Sequence, residues 1–445
     1  MQSESILFPK KELVPPAPSQ TITPEPLKID SPLFTTKDVE ANHTKPIAVG
    51  NPFFKLESAS PVTVQDIGDN EMLDLVIKDL DPEFRLELAD KLIKKDPNHT
   101  IGWKAKARAL REKGRVDEAL ISLEKAISLD PSCYAAWMYM GNISLAANNK
   151  NKAHLYYKKA LEFSDEAIAS NKNDVAAWIT KARSLSDLEK YAKAVNCFDK
   201  AINLFSDESD LWSDKGFALS ELQRYEEALA SLDKALELNP NNSYAWSIKG
   251  FVLGFFGRYE EELECRSMAL KLEPEDTEEW ANKAYVLSNL ERYEEALECY
   301  DNLIQMKPRD NEVWNERGDT LFKLERLEEA LKSYEQVLSI DPNDASGWSG
   351  KGDVLLHLKN YTEALCCLNK SLELDPNQPA SWYCKAITEI SMGNVDNGLT
   401  DLKKAIQMGG KDYKNLAKSD NSFDSIRQTE SFQRVLATKK RRISK

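Results

Sequence analysis

The chain has 445 residues, 30% of them charged and 42% hydrophobic, with a formal net charge of −14. This acidic balance argues against a nucleic-acid surface, which needs clustered Lys and Arg, and no run of eighteen apolar residues suggests a membrane-inserted helix. The start, MQSESILFPKK, lacks an apolar stretch of signal-peptide length, and the seven cysteines show no zinc spacing, so a cytoplasmic protein with reduced thiols is expected.

Residues 1–66 hold ten of the nineteen prolines and no sustained helical or strand period, which predicts a disordered Pro-rich tail. Its apolar islands, Ile6-Leu7-Phe8 before Pro9-Lys10-Lys11 and Pro52-Phe53-Phe54-Lys55, read either as short linear motifs or as scattered linker hydrophobes. Over 67–99 the stretches MLDLVIKDL and PEFRLELADKLIKKDP predict two amphipathic helices, a partial N-terminal capping repeat without a tryptophan.

From residue 100 a single period takes over. Trp103 and Trp137 are 34 residues apart, Trp178 follows after 41, and Trp212, Trp246, Trp280, Trp314, Trp348 and Trp382 continue at intervals of 34. Around most of them Gly or Ala stands at +4, Leu at +7, Ala at +16 and Pro at +28. A fixed period of this length signals a stacked array of helix pairs, because one pair cannot bury its apolar stripe alone. Successive residues turn by about 100° on a helix, so offsets of four and seven fall on the tryptophan's own side. The proline after each second helix is placed to end it.

Trp212, Gly216, Leu219, Ala228, Ala235 and Pro240 are similar to the signature of the tetratricopeptide repeat. The resemblance covers 100–410 as nine repeats. It implies an all-α, right-handed α-solenoid, a superhelix of helix-turn-helix units with terminal capping helices, and a concave groove in which peptides bind. Two irregularities interrupt the pattern. Seven extra residues between Trp137 and Trp178, about two turns, predict a longer second helix. In the Trp246 repeat, Glu262 and Arg266 stand at +16 and +20, where the other repeats are small and apolar; a partly exposed ion pair on one helix face is expected, or else a local loosening or an outward contact point. Cys197, Cys265, Cys299 and Cys367 share the +19 position and read as small packing residues.

Gly409-Gly410 ends the repeats, and 411–438 reads as C-terminal capping helices with Phe423, Ile426, Phe432 and Leu436 as their docking face. The last stretch, 439–445, is a basic tail, either solvated or a nuclear-import signal. Four histidines, none beside a nucleophile-like Cys or Ser, no Gly-rich phosphate loop and no HExxH predict no enzyme, no metal site and no cofactor.

Function must then lie on a surface. Offsets of −2, +1, +5 and +9 point roughly 100–180° away from the tryptophan around the first helix. By the family resemblance this face lines the groove. Along it Phe217, Tyr244, Phe251, Phe255, Tyr285, Asn289, Asp319, Phe322 and Asp353 form an aromatic and acidic zone, and Lys104, Arg108, Asn142 and Arg183 form a basic end. Aromatic rings on an otherwise polar face are efficient binding anchors, and Lys or Arg can stack on them. The expected protein is a non-catalytic adaptor or scaffold, monomeric or part of a hetero-complex, for a peptide segment with apolar anchors and basic residues. Two alternatives are an adaptor whose own N-terminal tail occupies the groove, and a self-assembling structural subunit. The family also includes chaperone adaptors that grip a C-terminal carboxylate with Lys and Asn. Lys104 and Asn142 match only isolated elements of that pattern, and Asp210, Ser213 and Asp214 have the wrong chemistry for it.

Overall fold

The structure is a computed structural model that describes residues 81–438. The expected tail 1–66, the first helix of the 67–99 cap and the basic tail 439–445 lie outside the described residues. Among those described, every regular element is a helix. The chain forms two compact units, one ending at Val252 and one beginning at Leu253.

In the first unit, Pro82–Lys95 precedes the pairs Thr100–Glu112 with Val116–Leu129, Tyr134–Ala146 with Lys150–Ser170, Val175–Asp187 with Tyr191–Leu204, and Ser209–Glu221 with Tyr225–Leu238. Each helix packs on its chain neighbours, and the first helices Tyr134–Ala146, Val175–Asp187 and Ser209–Glu221 also touch one another in turn. Lys150–Ser170 has 21 residues against 14 in Tyr191–Leu204, so the seven extra residues lengthen the second helix. The second unit repeats the scheme with Tyr259–Leu272, then Thr277–Asn289 with Tyr293–Met306, Asn311–Lys323 with Leu327–Ile340, Ala345–His357 with Tyr361–Leu374, and Pro379–Ser391 with Val395–Gly409.

Local chemistry fixes each joint. The residue eleven after each tryptophan is left-handed: Gly114, Asn148, Glu189, Gln223, Gly257, Glu291, Glu325, Lys359 and Gly393 all have positive φ. That conformation turns the chain sharply between the two helices of a pair. At the other end, an Asp or Asn before the proline is extended, and it caps the turn: Asp130 Oδ1 accepts the Ser132 N–H at 3.0 Å, and Asp341 Oδ1 that of Asn343 at 2.9 Å.

The tryptophans are half-buried seam residues. Each indole N–H donates to the main-chain carbonyl six residues back, 2.9 Å for Trp246 to Pro240 and for Trp280 to Pro274. A Lys or Arg three residues on lies over the ring, as Lys249 does at 5.5 Å, and pairs with an acid sixteen residues upstream, Asp233 at 2.7 Å. The same double contact recurs at Lys215 with Asp199 and at Arg317 with Asp301. Between the helices of a pair the small residue at +4 admits the large one at +20. A Cβ on Gly216 would lie 2.7 Å from Leu232 Cγ, and one on Gly318 2.9 Å from the Tyr334 ring. Leu232 is fully buried, which stabilises the fold by about 2 kcal/mol.

The segment after Gly410, which caps its helix at φ 73°, folds back on the end of the second unit. Tyr413, Phe423, Ile426, Phe432 and Leu436 are buried in one cluster with Tyr383, Cys384 and Ile387.

Candidate peptide-binding faces

The +5 and +9 positions of the first helices carry several titratable groups, and each unit has its own face.

In the first unit, Arg183 Nε donates to Asp214 at 2.7 Å. Beside the pair, burial and the charge of Asp214 push the Asp187 carboxyl up to about 7, and burial raises Glu221 as well. Phe217 stands edge-on to Tyr191 with centroids 6.1 Å apart and lies 6.4 Å from the Tyr244 ring, which is part-exposed. Burial, reinforced by Asp214 and Asp187, raises the Tyr244 hydroxyl far above its usual range. Phe251 is half-buried in the same apolar cluster as Phe217.

At the expected basic end, Arg108, Asn142 and Arg183 have partners within the array. Arg108 pairs with Glu112 at 3.1 Å, a carboxylate that also holds Arg85 at 2.5 Å. Asn142 Oδ1 accepts the Tyr157 hydroxyl at 2.9 Å, and Arg183 is matched by Asp214. Lys104 is half-exposed.

In the second unit, Tyr285 is the most exposed large aromatic, at 66%, and Phe255 and Asn289 are also exposed. Burial pushes Glu278 up to about 7, helped by Asp276 and Glu279. On the next first helix burial raises Glu316 and pushes Asp319 to about 8, against the hydroxyl of Tyr334, which donates to Asp319. Lys323 lies 5.4 Å over the Tyr293 ring. Carboxylates thus outnumber cations on both faces.

Two expected groove residues are instead in the interior. Phe322 is buried edge-on against His357 at 4.8 Å. Asp353 is fully buried: His357 Nδ1 lies 3.3 Å from its carboxylate but bonds its main-chain carbonyl at 2.9 Å, and Asp353 raises His357 to about 9 against the effect of burial. The helical period shows which way a side chain leaves its own helix; it does not show what the next repeat brings against it, here His357 on Phe322 and Cys384 beside Asp353. Asp187 and Glu316, which sequence reasoning did not single out, sit at the +9 and +2 offsets; a census of charge at those offsets finds both.

Among the described residues no group of three or more His, Cys, Asp or Glu could hold a metal ion, and no helix is long and apolar enough to cross a membrane.

Stacked helix pairs with a half-buried tryptophan at each seam define an all-helical repeat scaffold. Family models described as tetratricopeptide repeat match residues 86–131, 104–171, 175–208, 209–242, 231–264, 282–345 and 321–387. The chain belongs to the tetratricopeptide-repeat family. No curated protein matches the sequence. Among solved structures it is similar to YrrB, a tetratricopeptide-repeat protein with an unusual peptide-binding site, at 26% identity over 42% of this chain and 97% of that one, with a TM-score of 0.39. It is also similar to yeast Tom70 (16% identity, 82% and 91% coverage, TM-score 0.37) and to the APC/C hetero-tetramer Cut9-Hcn1 (13% identity, 76% and 76%, TM-score 0.38).

Proposed function

We propose that this chain is a non-catalytic protein-interaction scaffold whose first-helix faces take a partner segment carrying apolar anchors beside Lys or Arg. The observation that carries this reading is the pairing of carboxylates raised above their usual range with accessible rings. Glu278 and Asp319, pushed up to about 7 and about 8, occupy the second unit's face with Tyr285. A carboxylate whose charged form is disfavoured in the free protein gains from a cation delivered by a ligand, which favours that form. An exposed Tyr supplies area for the aliphatic stem or for a cation over its ring. In the first unit Phe217, Tyr244 and Phe251 with Asp187 and Glu221 have the same composition.

The test is fluorescence anisotropy with a labelled peptide alternating Leu or Phe with Arg or Lys, beside its charge-inverted counterpart. Binding of the basic peptide alone, weakened by salt and by Tyr285→Ala with Glu316→Gln, is the expected result. Equal binding of both peptides, or no effect of the double variant, would remove these faces from consideration.

A further inference from the structure

Three core positions at one inter-repeat interface depart together from the rest of the array. At +16 the other repeats place Ala or Gly, at +20 Leu, Tyr or Phe, and at −1 of the following tryptophan a small or aliphatic residue; all are buried packing positions. In the second unit these places hold Glu262, Arg266 and Glu279, buried to 4%, 4% and 3% exposure. The pair expected to be partly exposed is therefore interior, and it has a third member on the next helix. Arg266 Nε and Nη2 donate to Glu262 Oε1 at 2.9 and 2.6 Å, and Nη1 reaches Glu279 Oε2 at 3.2 Å and Oε1 at 3.4 Å. A fourth substitution makes room for them. Gly254 occupies the +8 position, and a Cβ there would lie 2.7 Å from Glu262 Oε2.

One guanidinium thus serves two carboxylates in a dry seam. Burial of charge carries a desolvation penalty that a single cation shared between two anions offsets only in part. The long contacts to Glu279 are weaker than the fork to Glu262. Burial raises the Glu262 carboxyl even with Arg266 beside it, and the Glu279 charge raises it further. At the seam where Asn242 Nδ2 donates to Ser209 Oγ at 2.9 Å and that hydroxyl donates to the Ala235 carbonyl at 2.9 Å, by contrast, the buried polar groups are neutral and hydrogen-bonded. In a linear array, stability is a sum over nearest-neighbour interfaces, so one weak interface opens locally while its neighbours stay closed.

We propose that the Glu262–Arg266–Glu279 triad is a built-in weak seam, at which helix Tyr259–Leu272 parts from Thr277–Asn289 before any other interface of the second unit opens. A partner gripping helices on both sides of this seam would meet an adjustable joint there and fixed ones elsewhere.

Hydrogen exchange read by mass spectrometry on the full chain tests this. Protection factors in 259–272 and at the start of 277–289 should fall about tenfold or more below those in 293–306 and 327–340. In Glu262→Ala/Arg266→Leu/Glu279→Ala, which installs the pattern of the other repeats, they should rise to their neighbours' level. Equal or higher protection in the wild type would overturn the proposal. So would a folded triple variant with unchanged exchange. A triple variant that fails to fold would also overturn it, because the proposal requires the apolar lock to be the stronger one.

Discussion

The nine left-handed turn residues allow a stability prediction with its controls inside the chain. Gly257 has φ 68°, and a Cβ built on it meets nothing within 4 Å, so Gly257→Ala adds no clash and isolates the backbone term. A non-glycine residue in this region costs roughly 1–2 kcal/mol, while glycine forfeits about 0.5–1 kcal/mol through the freedom of its unfolded chain. The difference predicts a loss of about 1 kcal/mol for Gly257→Ala. It predicts a gain of about 0.5–1 kcal/mol for Lys359→Gly, where an exposed Lys holds φ 61° at the equivalent turn. Gln223→Gly, at φ 58° in the other unit, should add to Lys359→Gly within about 0.5 kcal/mol, since the two share no partner. Because arrays can unfold in parts, urea midpoints should be read beside amide protection in the flanking helices Ala345–His357 and Tyr361–Leu374. A neutral Gly257→Ala, or a destabilised Lys359→Gly, would refute the argument that backbone strain at these turns is real and unrelieved.

Three other outcomes are expected. Trp280→Phe removes the indole bond to the Pro274 carbonyl at 2.9 Å and should lower stability by about 1 kcal/mol, read as a shift of the urea midpoint at constant slope. Stability should fall as pH rises from about 4 through about 8, because the folded Asp319 retains a proton that the unfolded chain, with its carboxyl near 3.8, has released. His357, raised from 6.5 to about 9, works in the same direction over the upper part of that range, so Asp319→Asn should flatten only the acidic part of the curve in pH-dependent thermal melts. Of the seven cysteines, only Cys366 is exposed, and burial pushes the Cys299 and Cys367 thiols up to about 11, so a thiol titration of the native chain should find one fast group.

Much of the fold was legible because the repeat restates it. Trp at one spacing, Gly or Ala four on and Pro twenty-eight on give the helix pairs and their seams without any long-range inference. The Trp+11 residue is less legible, since six of the nine are not glycine, and only the shared turn geometry reveals their common backbone. Site reading failed where a second element intervenes. Glu262 and Arg266 lie on one helix and look like a surface pair; the partner that shows them to be interior, Glu279, comes from the next repeat. Asp353 has the offset of a groove residue, yet it is buried beside His357 of its own helix and Cys384 of the next first helix, a contact that one helix's period does not reveal.

The calorimetry of a basic ligand would probe the faces in a way that mutation cannot. Lys215, Lys249 and Arg317 are each committed to a tryptophan ring and an acid, and Arg224, Arg258 and Arg292 fork onto the Glu three residues later, at 2.7, 2.6 and 2.6 Å. The array therefore uses its basic residues on its seams and turns, and much of the −14 formal charge remains as carboxylates elsewhere, some of them on the first-helix faces. Asp187 and Glu278 near 7 and Asp319 near 8 are part-protonated at neutral pH. A cation arriving beside one of them favours the charged form and lowers its pKa, so binding must release protons. Titrating the basic peptide at pH 7 in buffers of different ionisation enthalpy should then give different heats, and affinity should strengthen as pH rises from 6 to 8. Buffer-independent heats would mean that these carboxylates stay out of contact with the ligand, and the apolar anchors alone would have to account for any binding observed.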